Sequence, residues 1–322
     1  MRFGFLGGAL LAVLGVLLAI PPSVPGQTLS TYDDFSAAGI NGGRWFGVLD
    51  AIRYANLVDI AGGWSNQAEG QWMHHPEFSI VNAAVRRQIV GGQLQLQLTT
   101  AGGTHPDPDV APGHGRVGLR MHAAEPRNLG NPPPQPVTRI QTQVTVIEAQ
   151  AQPCRSTGES RTRAQLFAHL FNDGSSPGSW DLTGDVFASL SLQRKSFEPD
   201  RIVAVVSRCR DVGCTVADDL GSVVFNRAWR LGATHMLTIT HQAGNNRVSF
   251  QVTGGGVAAE TRWVSYPRPA SRSESARHSE LRLENTPANC PADGGSPAER
   301  VEVTMDARFD NVRVNDAAVP AP

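Results

Sequence analysis

Charge is scarce in this chain. Aspartate, glutamate, lysine and arginine make up 18% of its 322 residues, and the formal net charge is -1. Such a balance offers no broad cationic field to a phosphate backbone or an anionic lipid surface, so nucleic acid is set aside as a partner. Helical periodicity is equally scarce. No long segment repeats apolar residues at i, i+3, i+4 and i+7, and only residues 51–58 read as a short helix. Cysteine is limited to four residues, with no second close pair and no Cys/His cluster to complete a zinc site. Long apolar runs are confined to the first twenty residues.

That N-terminal run begins with Arg2, stays apolar from Phe3 to Ile20 and breaks at Pro21 and Pro22. It reads as a secretory signal peptide over residues 1–26, with Gly26 before the cut and Gln27 after it. The competing reading is an uncleaved anchor helix, but the glycine-interrupted run is shorter than the roughly 20 residues a span prefers. After cleavage no segment predicts a membrane helix, and the compartment is secreted or periplasmic. In an exported chain four cysteines imply two disulfides, with three pairings open. The short turn-like spacing between Cys209 and Cys214 favours a local bridge, which leaves Cys154 for Cys290.

What is abundant is alternation. In the stretch GGQLQLQLTT, Leu94, Leu96 and Leu98 point one way and Gln93, Gln95 and Gln97 the other. One face is therefore buried and one wet, as in an antiparallel sheet. Residues 138–147, 163–171, 185–193, 235–241, 247–252, 280–283 and 301–314 repeat the pattern. Turn formers stand between them, drawn from 33 glycines and 22 prolines. The reading is all-β: one antiparallel β-sandwich domain over residues 27–322, with the proline run at 131–136 as a stiff surface connection rather than a linker.

Two segments carry a resemblance. YDDFSAAGINGGRW at residues 32–45 and ARFDNVRVN at residues 307–315 resemble the opening and closing segments of the concanavalin A-like lectin and glucanase superfamily. The resemblance implies a jelly-roll sandwich whose first and last strands pair. It also implies a structural Ca²⁺ between those strands, with Asp310 as one ligand and Asp34, from the Asp33–Asp34 pair, facing it. Hard oxygen ligands suit that ion.

Within the same resemblance, residues 180–190, WDLTGDVFASL, look like the catalytic strand of laminarinase-like hydrolases. That strand carries Glu-x-Asp-x-x-Glu or Glu-x-Asp-x-Glu, aimed at the floor of a glycan cleft. A retaining mechanism needs its two carboxyls only about 5 Å apart. Here the corresponding face carries Asp185, Phe187, Ser189, Ser191 and Gln193, so one acid remains and retaining hydrolysis cannot run on it. The face suits binding instead: an aromatic ring with flanking hydroxyls and amides stacks on a sugar and bonds it. Plain sheet packing of Phe187 is the equal alternative. The strand RAQLFAHLF puts Gln165, Phe167, His169 and Phe171 on one side. If Phe167 and His169 adjoin Phe187 and Ser189, the concave sheet presents an aromatic and polar floor.

Other motifs weigh less. The glycines at 113, 115 and 118 fit a dinucleotide loop in spacing but lead into a strand, and His74, His75 and Glu77 lack zincin spacing. Trp45, Trp64 and Trp72 serve either sugar stacking or core packing. Glu280, Arg282 and Glu284 alternate onto one strand face and read as an exposed charge ladder. They also resemble the Arg-Ser-Glu-Leu-Arg element of jelly-roll alginate lyases, although His278 replaces the neighbouring arginine and the lyases' Gln-x-His and closing tyrosine motifs do not appear. The expectation is an exported, non-catalytic glycan-binding protein using Gln165, Phe167, His169, Asp185, Phe187 and Ser189. The alternatives are a glycoside hydrolase or polysaccharide lyase using Glu280 and Glu284, and a structural or protein-binding envelope component.

Overall fold

A computed structural model describes residues 28–46, 59–60, 63–64, 73–74, 81–106, 113–121, 137–155, 158–176, 181–212, 214, 216–272, 279–292, 295 and 297–316. The expected signal peptide, the short helix at 51–58, and Trp72, His75, Glu77, Trp180 and His278 lie outside the described residues. Among the described residues no helix is long and apolar enough to cross a membrane.

The strands in chain order are β1 (Leu29–Asp33), β2 (Trp45–Phe46), β3 (Asp59–Ile60), β4 (Gly63–Trp64), β5 (Met73–His74), β6 (Val81–Val90), β7 (Gln93–Gly102), β8 (Gly115–Met121) and β9 (Arg139–Ala151). They continue as β10 (Arg161–Asn172), β11 (Asp185–Lys195), β12 (Glu198–Cys209), β13 (Ala217–Val224), β14 (Thr234–Gln242), β15 (Arg247–Gly254), β16 (Val257–Ser265), β17 (Ser279–Thr286) and β18 (Glu302–Asn315). The first sheet runs β16-β15-β14-β9-β18-β7-β6-β5, with β1 also on β18; the second runs β13-β12-β11-β10-β17-β8-β3-β4, with β2 also on β8. This is an antiparallel β-sandwich of two sheets, as the alternation implied. The first and last strands do pair, from Leu29 opposite Asn315 to Asp33 opposite Val312.

The alternation works as read. Leu94, Leu96 and Leu98 of β7, with Met305, Ala307 and Phe309 of β18, face inward. They meet Leu166 and Ala168 of β10, Leu190 and Leu192 of β11, and Leu281 and Leu283 of β17 in one continuous core. Burying a row of leucines removes apolar area from water at about 25 cal/mol per Å², which is what holds the two layers together. Trp45 belongs to this core. Its ring stacks on Phe35 at 5.6 Å and meets Tyr32 edge-on at 5.3 Å, while its indole N–H donates to Asp33 at 2.5 Å.

Tight turns let the strands follow one another. The β6–β7 hairpin turns on Gly91 and Gly92, with φ of 60° and 74°, the left-handed pair that a two-residue type I′ turn needs. Both disulfides form in the expected pairing. Cys154–Cys290 ties the segment after β9 to the segment after β17, one from each sheet, over a sequence separation of 136. Cys209–Cys214 closes a local loop at the end of β12.

Candidate functional site

The second sheet's inner residues belong to the core, so the alternate residues of β8, β10, β11 and β17 face outward. Register decides what meets there. Phe167 stands opposite Ser189, His169 opposite Phe187 and Gln165 opposite Ser191 on the β11 side. On the β17 side, Phe167 stands opposite Glu280, Gln165 opposite Arg282 and Arg163 opposite Glu284. One strand further, Arg120, Gly118 and Arg116 of β8 stand opposite Glu280, Arg282 and Glu284. Gln165, Phe167, His169, Phe187 and Ser189 therefore share one face.

Its centre is aromatic. Phe167 and Phe187 stack at 4.9 Å, with the His169 ring 5.2 Å from Phe167 and 6.0 Å from Phe187. The guanidinium of Arg282 sits over the Phe167 ring at 4.3 Å, a cation–π contact. Phe167, His169, Gln165 and Ser189 are all buried, whereas Phe187 is partly exposed. A ligand reaching this face meets Phe187 and the arginine side chains first.

Phe171 departs from the expected face. A bulge at Leu170 breaks the β10–β11 register, so that His169 opposes Phe187 but Phe171 opposes Val186. One extra residue on one strand flips everything beyond it to the other side. Phe171 consequently enters the core, where it stacks on His241 at 5.3 Å and lies 5.5 Å from Tyr266.

Beyond the bulge, Asp185 is buried next to Asn172, whose amide donates to its Oδ1 at 2.7 Å. The Nδ1 of His169 lies 3.7 Å from Oδ2. Burial pushes the Asp185 carboxyl up to about 7; the Asn172 hydrogen bond opposes the rise, and the charges of Asp173 and Asp181 add to it.

The ladder of Glu280, Arg282 and Glu284 corrects another expectation. These glutamates are not exposed: Glu280 is 4% and Glu284 5% accessible. Glu284 meets Arg116 at 3.4 Å, Arg282 at 3.7 Å, Arg161 at 3.8 Å and Arg163 more closely still, and it accepts from Gln165 at 3.2 Å. Burial opposes its charge, yet the guanidiniums of Arg163, Arg116, Arg282 and Arg161 hold its carboxyl well below the ordinary glutamate range. Glu280 pairs with Arg120 at 3.8 Å and Arg282 at 3.9 Å. Burial draws the Arg282 guanidinium down to about 10, with Glu280 and Glu284 holding its charge against that pull.

Gly118 explains how Glu280 fits. A Cβ there would lie 2.6 Å from the Glu280 Oε1 and 2.8 Å from the Leu281 carbonyl. The same glycine that spaces like a dinucleotide loop in sequence is a clearance in β8. Sequence reasoning passed over Arg116, Arg120, Arg161 and Arg163 as members of the site and read Gly118 only as part of a turn. Their alternation was readable, but their partners lie on strands more than a hundred residues away.

The Asp34–Asp310 pair sits at the β1–β18 join. Asp310 is raised by burial, an effect the backbone N–H of Asn311 and the Gln93 amide oppose, and to which Asp34 and Asp33 contribute through their charges. Asp34 accepts from the Ser36 backbone N–H at 3.1 Å, and Asp33 turns inward to Trp45. Among the described residues no group of three or more His, Cys, Asp or Glu side chains stands where it could hold a metal ion.

No family model matches this sequence, and no curated protein matches it. Among solved structures, it is similar to lectin II from Ulex europaeus at 11% identity and a TM-score of 0.30, covering 76% of this chain and 99% of the lectin. It is similar to alginate lyase Aly36B at 11% identity and a TM-score of 0.35, covering 93% and 100%. For the PL-14 alginate lyase from Aplysia kurodai the figures are 9% identity, a TM-score of 0.32, and 71% and 86% coverage. Likeness this slight carries no functional argument; the site has to be read from its own chemistry.

Proposed function

We propose that this chain is an exported glycan-recognition protein whose binding face is the outer side of β8, β10, β11 and β17. The stacked Phe167–Phe187 pair carries the reading, because a partly exposed ring backed by a second ring, with hydrogen-bonding side chains around it, suits the apolar face and hydroxyl rim of a sugar. Two disulfides fit the oxidising compartment that export would supply. In this reading β11 is a binding strand with one acid, and the resemblance to a laminarinase-like catalytic strand ends at its outline.

Charge speaks against a hydrolase that uses Glu284 as its acid: its guanidiniums hold it ionised, so it has no proton to donate.

The test is a glycan-array screen of the purified chain beside Phe187→Ala, with product release read in the same wells. Loss of binding in a folded Phe187→Ala variant is the expected result. Unchanged binding removes this face from the site, product release overturns the non-catalytic reading, and silence in every well favours a structural or protein-binding role.

A further inference from the structure

We infer that the glycan taken by this face is anionic, a polysaccharide carrying carboxylate or sulfate groups, and that Glu284 is the internal pin that gathers the guanidiniums receiving it. The inference rests on the glycan reading above. Arg116 and Arg120 of β8, Arg161 and Arg163 of β10 and Arg282 of β17 share the outward face with Glu280 and Glu284, while Asp59 of β3 stands opposite Arg116 and Lys195 of β11 opposite Arg161. The five guanidiniums outnumber the two glutamates they converge on, each lying within ion-pair reach of one glutamate or the other. The chain as a whole carries -1, so this excess is a local concentration.

Holding like charges together out of water is costly without a counter-charge. Glu284 supplies part of it and leaves capacity over. A guanidinium offers five N–H donors in a rigid fork, more than its share of one carboxylate can use. The Nε donors of Arg120, Arg161, Arg163 and Arg282 are buried without an acceptor. The rim still opens outward: the side chains of Arg120 and Arg161 are 27% and 33% exposed. Beside this row stands the ring of Phe187, stacked on the Phe167 that Arg282 covers. An acidic sugar satisfies both parts, its ring on Phe187 and its acid group bridging two arginines as a charge-assisted bidentate acceptor.

The role of Glu284 makes the inference sharp. If Glu284 were only a negative charge near an anion site, removing the charge would tighten anion binding. If it is the pin, removal lets four guanidiniums spread apart, and binding weakens.

The experiment is calorimetric titration of the purified chain with polygalacturonate, dextran sulfate and dextran, at low and high salt. Binding to either charged polymer but not to dextran, falling with salt, is the expected result, and the preferred polymer tells carboxylate from sulfate. Equal, salt-insensitive binding to dextran overturns the anionic class and leaves the glycan reading standing. No binding to these polymers or to any member of the glycan array removes the glycan reading itself. In a folded Glu284→Gln variant the charged polymer should bind at least about tenfold more weakly; equal or tighter binding overturns the pin. Should that variant fail to fold, Arg161→Gln at the rim takes its place. It is expected to lower both affinity and salt dependence, and no change in either overturns the inference.

Discussion

The outward row of the first sheet is a ladder of amides and hydroxyls. Gln95 and Gln97 both donate to Asp306, Gln88 donates to Gln95, and Thr99 meets Thr304. The outward row of the second sheet, built by the same alternation over the same core, holds five arginines, two glutamates and a stacked aromatic pair. In the first row the Asp306 carboxylate is matched by amide donors, with Arg308 two residues on, opposite Gln95. In the second, five guanidiniums converge on two buried glutamates beside the stacked rings. Folding needs only the inner faces, since both sheets bury leucine, valine and phenylalanine there. The outer faces are left to differ, and the one that joins stacked rings to a row of arginines is where a partner is expected.

Mutations can break this contrast at graded strengths. Leu190→Ala, on the inner side of β11, should cost about 2–5 kcal/mol in denaturant unfolding because the cavity adds to the lost transfer energy. Phe187→Ala, on the outer side three residues away, should cost far less while abolishing glycan binding. Comparable losses at both positions would mean that the outward face is core after all. Replacing Cys154 and Cys290 by serine should cost about 2–4 kcal/mol, because the bridge closes a long loop; the Cys209–Cys214 bridge closes a short one and should matter less.

Two titrations give opposite slopes. Asp185 is raised to about 7 in the folded chain from an ordinary 3.8, so the folded state holds the extra proton between those values. Its contribution to stability is present at low pH and is lost as pH rises through that window, at up to about 1.4 kcal/mol per pH unit. Asp185→Asn should flatten that fall. His241 is lowered to about 4 by burial, with Arg272 adding, so its contribution is present above its ordinary 6.5 and is lost as pH falls toward 4. His241→Phe should flatten the opposite limb. Unfolding free energies measured from pH 4 to 8 on the three proteins check both signs. The smallest effect is expected for Gln97→Ala on the first sheet: about 1 kcal/mol of stability for one lost hydrogen bond and no change in glycan binding.

Legibility followed locality. The strands with clean alternation, such as β7 with its Leu-Gln repeat, were readable at once. β12 was harder, because Val203 and Val205 point outward between the inward Ile202, Ala204 and Val206, and the strand reads as a continuous apolar run. The bulge at Leu170 left no mark, since Phe171 suits either face in composition. Glu280 and Glu284 showed their shared face but not their burial, which depends on arginines contributed by β8 and β10.

The sequence by itself determined that this protein is built of antiparallel strands with one buried and one wet face and that Cys209 has a local partner in Cys214, because a period of two and a short cysteine spacing are properties of neighbouring residues. Only the tertiary structure decided which outward residues meet. The pairing of β8, β17, β10 and β11 brings Arg116, Glu284, Arg163 and Phe187 onto one surface. The reason is physical: hydrophobic alternation is satisfied by any partner strand in the right phase, whereas ion pairs and stacked rings require a particular neighbour in a particular register.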